Sequence, residues 1–396
     1  MRIAIFDYRV IPTNPVGGIH RRLLEGLADE HDFVVFAVQF DNPRPDRIRH
    51  VRVPVPLRPL ALLFVMFHLI APLCYLWYRV RGGARFDVIQ TVESNVLFRS
   101  DLIYAQFCHT AFLKHHWHAV RGAGLRAWLR YIDHRLHALL ERLAFARAGR
   151  IICPSAGLVR ELTEAFPFAR EKLVHLSNPI ATDRLRRPQM FDRTGWRETH
   201  GFGQRDIVLV FTALGQFERK GLPLVVEAMQ RLGRTDLKLD VVGGETDYVK
   251  HWRDRVERLG LGNQVVFRGM QQDLRPHLWG ADALVFPSSY ETFSLTTYEA
   301  AAAGLPLLVS RLHGVEEILR DGVNGFLVER SGEGVARAIS QLVALTDEQR
   351  RQMGANAQHD AAGYDVNLFH TRWRAVYDRI ATERVGGAAA MDGNRL

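Results

Sequence analysis

Short apolar runs bounded by glycine, proline or asparagine recur along the chain, and many are followed by segments whose apolar positions repeat every three or four residues. Arg2–Phe6, Phe33–Val38, Val51–Val55 and Phe86–Val92 are the first runs of this kind. Their lengths and β-branched content predict buried strands. A long turn, DYRVIPTNPVGG, follows the first of them and leads into an amphipathic helix over Ile19–Ala28. Strands are also expected at Leu102–Phe107, Ile151–Ser155, Leu173–Leu176, Ile207–Ala213, Leu239–Gly244, Val265–Gly269, Ala283–Pro287 and Leu307–Val309. Helical patterns cover Trp128–Ala148, Ala156–Phe166, Tyr298–Ala303, Gly334–Leu345 and Asn367–Ile380. Strands alternating with helices predict an α/β architecture of doubly wound sheets.

The 396 residues exceed one ordinary domain and fit two. A polar, arginine-rich stretch from Ile180 to Gly203 marks the change between them. The expected division is a first domain over residues 1–185, a second over 186–365, a terminal helix over 366–382 and a polar, small-residue tail over 383–396.

Leu57–Val80, reading LRPLALLFVMFHLIAPLCYLWYRV, departs from this alternation. It is long enough to span a bilayer. It also lies between two strand candidates, and if both belong to one sheet a span would put them on opposite sides of the membrane. His68 and Pro72 interrupt it as well. A buried crossover helix pair is one alternative. The reading preferred is an element that lies on the membrane surface, with Arg58, Arg79 and Arg81 placed to meet anionic headgroups, so peripheral contact is expected through residues 57–81.

Composition narrows the partners. Hydrophobic residues make up 47% and charged residues 24%, which excludes extensive disorder. The formal charge of +9 calls for an anionic partner. Only five of the 52 basic residues are lysine, and no compact basic block with interleaved aromatics stands out, so phosphate and membrane are preferred to nucleic acid. Cys74, Cys108 and Cys153 form no CxxC and cannot all pair, which favours a reducing compartment and buried thiols. MRIAIF enters a strand directly, with no export signal, and cytoplasm is the default expectation.

Four groups of residues carry candidate chemistry. In ADALVFPSSYETFSLTTYEAAAAGLPLLVS, Glu291 and Glu299 flank the start of a helix at which Ser294, Thr296 and Thr297 supply hydroxyls. A helix start attracts phosphate, and carboxylates accept hydrogen bonds from sugar hydroxyls. Taken alone, two such glutamates are more often a solvated surface. Arg219 and Lys220 precede another helix, where an arginine fork and a lysine point charge can neutralise a diphosphate, although such a pair alone is commonly a surface feature. Gly17 and Gly18 stand before the first helix, where a glycine pair is a turn by itself and can also let a phosphate approach backbone amides. Cys108-His109-Thr110, with His115, His116 and His118, invites a metal reading, but neither CxxC nor HExxH is present and no metal is expected.

The runs PSSYETFSLTTYEAAAAGLPLLVS, HGVEEILRDGVNGFLV with Glu317, and ERKGL resemble the donor-site signature of the retaining GT-B glycosyltransferases, family 4 (glycosyl transferases group 1). The resemblance is dense over residues 205–330 and patchy before them, where AQFCHTAF and the Asn178-Pro179 segment carry it. It implies a GT-B fold, two Rossmann-like domains facing across a cleft, with a C-terminal helix returning to the first. It implies a nucleotide-sugar donor held by Arg219, Lys220, Phe293, Ser294, Leu295 and Glu299. Glu291 would face the transferred sugar, His109 would lie near it, and the loop of Gly17 and Gly18 would face the cleft. The family often has glycine where Ser294 stands. Retention of anomeric configuration follows from membership. With no DxD-like motif, basic side chains and a helix dipole are expected to replace a metal, so no cofactor is expected. A lipid-linked or polysaccharide acceptor suits the membrane element. A noncatalytic GT-B scaffold and a Rossmann oxidoreductase are the alternatives, and the missing GxGxxG spacing weakens the second.

Overall fold

The computed structural model describes residues 1–117 and 124–392. The chain forms two compact units, one of Met1–Pro179 with the segment from Val366 onward, the other of Ile180–Asp365. In the first unit seven strands form one sheet: β1 Arg2–Val10, β2 Asp32–Phe40, β3 Arg49–Arg52, β4 Val88–Val92, β5 Leu102–Tyr104, β6 Arg150–Cys153 and β7 Leu173–His175. Their order is β3-β2-β1-β4-β5-β6-β7, and every pairing is parallel. The strand order reverses between β1 and β4. Open α/β sheets bind ligands at the carboxyl ends of strands beside such a reversal.

Two boundaries near the N-terminus differ from the sequence reading. β1 continues to Val10, in register with β2 as far as Phe40, and the first helix begins at Pro15, not at Ile19. Asn14 caps it, its side chain accepting from the Gly17 amide, and Pro15 at the first helical position supplies a suitable φ. β3 also lies earlier than Val51–Val55, because Arg49–Arg52 pairs with Val34–Ala37.

The apolar stretch is one helix, Leu60–Val80, which runs through Pro72 and is not a helix pair. By length and composition it could cross a membrane. It nevertheless joins β3 to β4, strands of the same sheet, and buries Leu63, Phe67, Ala71 and Tyr78 in a cluster with Phe6 and Phe36. Its other face, Leu62, Val65, Leu69, Leu73, Leu76, Trp77 and Val80, is exposed. Cys74 is half-buried, unlike Cys108 and Cys153.

The last helix, Val366–Asp392, completes the first unit. Tyr377 donates its hydroxyl to Gln90 Oε1 at 2.7 Å, Trp373 packs edge-on to Tyr104, and His370 Nε2 lies 2.9 Å from the Arg22 carbonyl. Behind them the buried His20 imidazole meets Asp7 Oδ2 at 2.8 Å and the Gln90 amide at 3.1 Å.

The second unit holds six parallel strands: β8 Ile207–Thr212, β9 Leu237–Val242, β10 Val265–Gly269, β11 Ala283–Phe286, β12 Leu307–Ser310 and β13 Gly325–Val328. Their order, β10-β9-β8-β11-β12-β13, reverses between β8 and β11. A helix over Asp347–Ala361 was not anticipated from its apolar pattern, yet Thr346 and Gln349 form a capping box at its start, which the sequence TDEQ spells out.

Candidate functional site

In the second unit both sides of the strand-order reversal supply candidate residues. β8 leads through Gln216 into a single helical turn, Phe217–Lys220, and β11 leads into the loop Pro287–Ser294. Gly221, at φ 91°, ends the turn, and a Cβ there would lie 2.3 Å from the Pro287 carbonyl oxygen. Only glycine lets the two loops come this close. Ser289 N–H then donates to the Arg219 carbonyl at 2.9 Å and locks them together.

This contact brings Arg219 and Lys220 onto Glu291. Lys220 Nζ is 2.5 Å from Glu291 Oε1, Arg219 Nη1 is 3.5 Å from the same oxygen, and the Ser288 hydroxyl donates to it at 2.7 Å. Arg219 also donates to the Tyr290 carbonyl, and its Nε is held by Gln216. Burial alone would raise the Glu291 pKa, but Lys220 and Arg219 outweigh it and hold the carboxyl below its ordinary range. Burial lowers the Lys220 pKa; Glu291 only partly offsets it, and Arg219 adds a smaller repulsion. Two cations facing one carboxylate leave surplus positive charge for an anionic ligand.

The helix after this loop is Leu295–Ala302. Ser294 is its N-cap, but it sits in the left-handed region at φ 66° and its hydroxyl pairs with Thr297 Oγ1 at 2.8 Å, leaving no side-chain cap on the backbone. The glycine-like backbone at Ser294 accounts for the residue type expected there. Phe293 stacks on Tyr298 with centroids 4.2 Å apart and is buried, so its side chain belongs to the core and only its backbone can meet a ligand. Leu295 and Glu299 are half-buried on this helix.

His109 lies in the first unit, beyond the Ala105–Cys108 loop that follows β5, at the start of a short helical segment. Glu141 fixes its backbone, Oε1 accepting the His109 N–H at 2.5 Å and Oε2 accepting the Thr110 N–H and hydroxyl at 2.9 and 2.6 Å. Glu93, the residue after β4 at the strand-order reversal, has φ 44° and places Oε2 3.2 Å from His109 Nε2. His109 Nδ1 is 2.9 Å from His134 Nδ1, and the His137 ring stacks on His109 with centroids 4.3 Å apart. Burial lowers the His109 pKa, but the Glu93 carboxylate more than compensates and holds it above the usual histidine value. Burial and then the His109 charge push His137 well below that value. Glu93, His109 and His137 are the described residues whose ligand atoms could hold a metal ion.

Glu93, His134, His137 and Glu141 were not singled out in the sequence. The last three belong to the helix Leu125–Arg147, which reads as a solvated charged face, but their spacing of three and then four places them on one helical face. His115 and His116 stay apart from this cluster, and His118 lies outside the described residues. Gly17 and Gly18 are inside the first helix, not before it. Their amides already donate to Asn14, at 2.8 Å to its side chain and 2.7 Å to its carbonyl, and a Cβ on Gly17 would stand 1.8 Å from the Arg9 carbonyl oxygen. Gly17 serves close backbone packing, and both amides are already engaged by Asn14.

Residues 206–344 match the family described as glycosyl transferases group 1, and residues 19–184 match glycosyltransferase family 4. The chain belongs to the family 4, group 1 glycosyltransferases. An uncharacterised glycosyltransferase of Methanocaldococcus jannaschii is 29% identical over 87% of this chain and 89% of its own length. Two solved structures have the same fold at 18% identity. WaaG, a glycosyltransferase involved in lipopolysaccharide biosynthesis, matches with a TM-score of 0.74 over 96% of this chain and 99% of that one. HepE of Anabaena, in complex with UDP and glucose, matches at 0.70 over 96% and 100%. The fold of this family 4 glycosyltransferase is therefore GT-B, and the oxidoreductase and scaffold alternatives give way to transferase chemistry.

Proposed function

We propose that this enzyme transfers a hexose-type sugar from a nucleoside-diphosphate donor to a lipid-linked or polysaccharide acceptor, with retention of configuration and without a metal ion at the leaving group. The observation that carries this reading is the convergence of Arg219 and Lys220 on Glu291 beside the start of the Leu295–Ala302 helix. A departing nucleoside diphosphate gains negative charge as the glycosidic bond breaks. Preorganised cations and a helix start stabilise that charge more in the transition state than in the ground state. In the resting protein Glu291 holds both cations. In the donor complex the diphosphate takes over that contact, which frees the Glu291 carboxylate to meet the sugar, while Glu299 accepts from the ribose hydroxyls. We assign His109 a role in sugar transfer. The UDP and glucose named for HepE and the lipopolysaccharide role named for WaaG support a nucleotide-sugar donor and a glycan acceptor.

The reaction is proposed to take place at the cytoplasmic face of a membrane. The exposed stripe of Leu60–Val80 is apolar, with Leu69 at 64% and Leu73 at 59% exposure, and Arg79 and Arg81 lie at its end. Arg81 stacks over Trp77 at 4.0 Å, an arrangement suited to the headgroup level. Leu125, Trp128 and Leu129 are exposed on the Leu125–Arg147 helix that packs beside it.

The decisive experiment incubates the protein, in the presence of EDTA, with UDP-, GDP- and ADP-sugars and a lipid extract, and follows donor consumption by mass spectrometry. One donor class should be consumed, and Lys220→Ala and Glu299→Ala should each abolish turnover while retaining the native circular-dichroism spectrum. Near-normal transfer in both variants would sink the assignment.

A further inference from the structure

We infer that Glu93, His109 and His137 form a binding site for one Zn2+-class ion in the first unit. Their ligand atoms lie within 4.8 Å of one another, with Glu93 Oε2 3.2 Å from His109 Nε2 and 3.9 Å from His137 Nδ1. Around a tetrahedral zinc with bonds of about 2.0–2.1 Å, donor atoms stand about 3.3 Å apart. The Glu93–His109 edge already has that length, and the Glu93–His137 edge exceeds it by about half an ångström.

Three further observations favour an ion. His137 Nδ1 is buried and has no hydrogen-bond partner, an arrangement that leaves a donor or acceptor orphaned unless something is bound. The opposite nitrogen of His109 faces His134 Nδ1 at 2.9 Å, the outer contact that fixes the tautomer of a coordinating imidazole. Glu93 holds its carboxylate here from a positive-φ backbone, a conformation that costs about 1–3 kcal/mol in a non-glycine residue and persists where its surroundings enforce it. The His109 and His137 rings are parallel to within 9°, so both can ligate one ion only after His137 turns about its side-chain torsions, and no hydrogen bond at Nδ1 opposes that turn.

Two imidazoles and one carboxylate select a borderline metal of the zinc class over Mg2+ or Ca2+, which prefer all-oxygen shells. Three protein ligands leave the fourth position to water. Resting on the proposed role of His109, an ion on its Nε2 takes that nitrogen out of transfer, so the bound metal acts as a reversible brake on transfer.

Metal binding is tested on the full-length, chelator-stripped protein by Co2+ titration, which reads tetrahedral coordination from the visible absorption, and by Zn2+ calorimetry. One saturable site should appear, and Glu93→Gln and His137→Asn should each weaken it at least about tenfold, as loss of a ligand requires. Absence of a 1:1 Co2+ spectrum in the wild type, or unchanged affinity in Glu93→Gln, overturns the site; Glu93→Gln also decides the matter if His137→Asn unfolds. Neither readout needs a sugar donor. Transfer by the metal-free protein, measured separately, should fall when Zn2+ is added and recover with EDTA, so failure of the site and failure of the proposed reaction give different results.

Discussion

Lys220 and Glu291, 71 residues apart in sequence, meet with Nζ and Oε1 at 2.5 Å, their side chains 17% and 13% exposed. Removing one partner leaves the other charge poorly solvated, which costs about 3–5 kcal/mol for a fully buried pair and somewhat less here. Lys220→Met should therefore lower the unfolding midpoint of the second unit and abolish transfer. The double variant Lys220→Met/Glu291→Gln should recover much of the stability but none of the activity. Thermal unfolding and turnover on the same samples check this, and recovery of both together would make the pair purely structural.

The same pair sets the pH limits. Lys220 and Arg219 depress the Glu291 carboxyl, so its stabilising contribution is fully present above the unfolded carboxyl range and is lost as pH falls through the depressed folded value. Glu291→Gln should flatten the acid limb of the unfolding midpoint plotted against pH. On the alkaline side, burial makes Lys220 release its proton below the ordinary lysine value of 10.5, and donor binding should weaken there. In Lys220→Arg that alkaline loss should disappear, because guanidinium does not titrate in the accessible range. An unchanged limb in donor titrations would remove Lys220 from the diphosphate site.

Gly17 and Gly18 should separate cleanly. Gly17→Ala drives a methyl into the Arg9 carbonyl and should destabilise the first unit by about 1–3 kcal/mol or more, whereas Gly18→Ala has its nearest neighbour at 3.3 Å and should change stability little. Urea unfolding distinguishes them. A Gly17→Ala protein of normal stability that fails only in transfer would instead point to a ligand role.

Leu69→Glu with Leu73→Glu should reduce sedimentation with anionic liposomes several-fold and leave thermal stability within about 0.5 kcal/mol, since both side chains face outward. High salt should weaken the wild-type interaction as well. Indifference to charge and substitution alike would remove the membrane face.

The two candidate sites were legible in the sequence to different degrees, for a physical reason. Arg219, Lys220, Glu291 and Glu299 sit in short contiguous motifs around two strand ends, so their neighbourhood is written locally. Glu93, His109 and His137 come from a strand end, a helix start and a long helix, and only β4–β5 pairing and helix packing unite them. Periodicity also mislocated the first helix, because the cap at Asn14 and the proline at residue 15 outweigh the glycine pair before Ile19. Ser294 shows the converse: its residue type conceals a backbone that a glycine would have announced.

Tyr377 and Trp373, fully buried against Gln90 and Tyr104, give the chain an order of assembly. The second unit is one uninterrupted segment, Ile180–Asp365, and leaves the ribosome whole while the first still lacks its closing helix. Vectorial synthesis thus completes the second unit before the one that begins the chain, and a nascent protein stopped short of Trp373 carries an unsealed sheet.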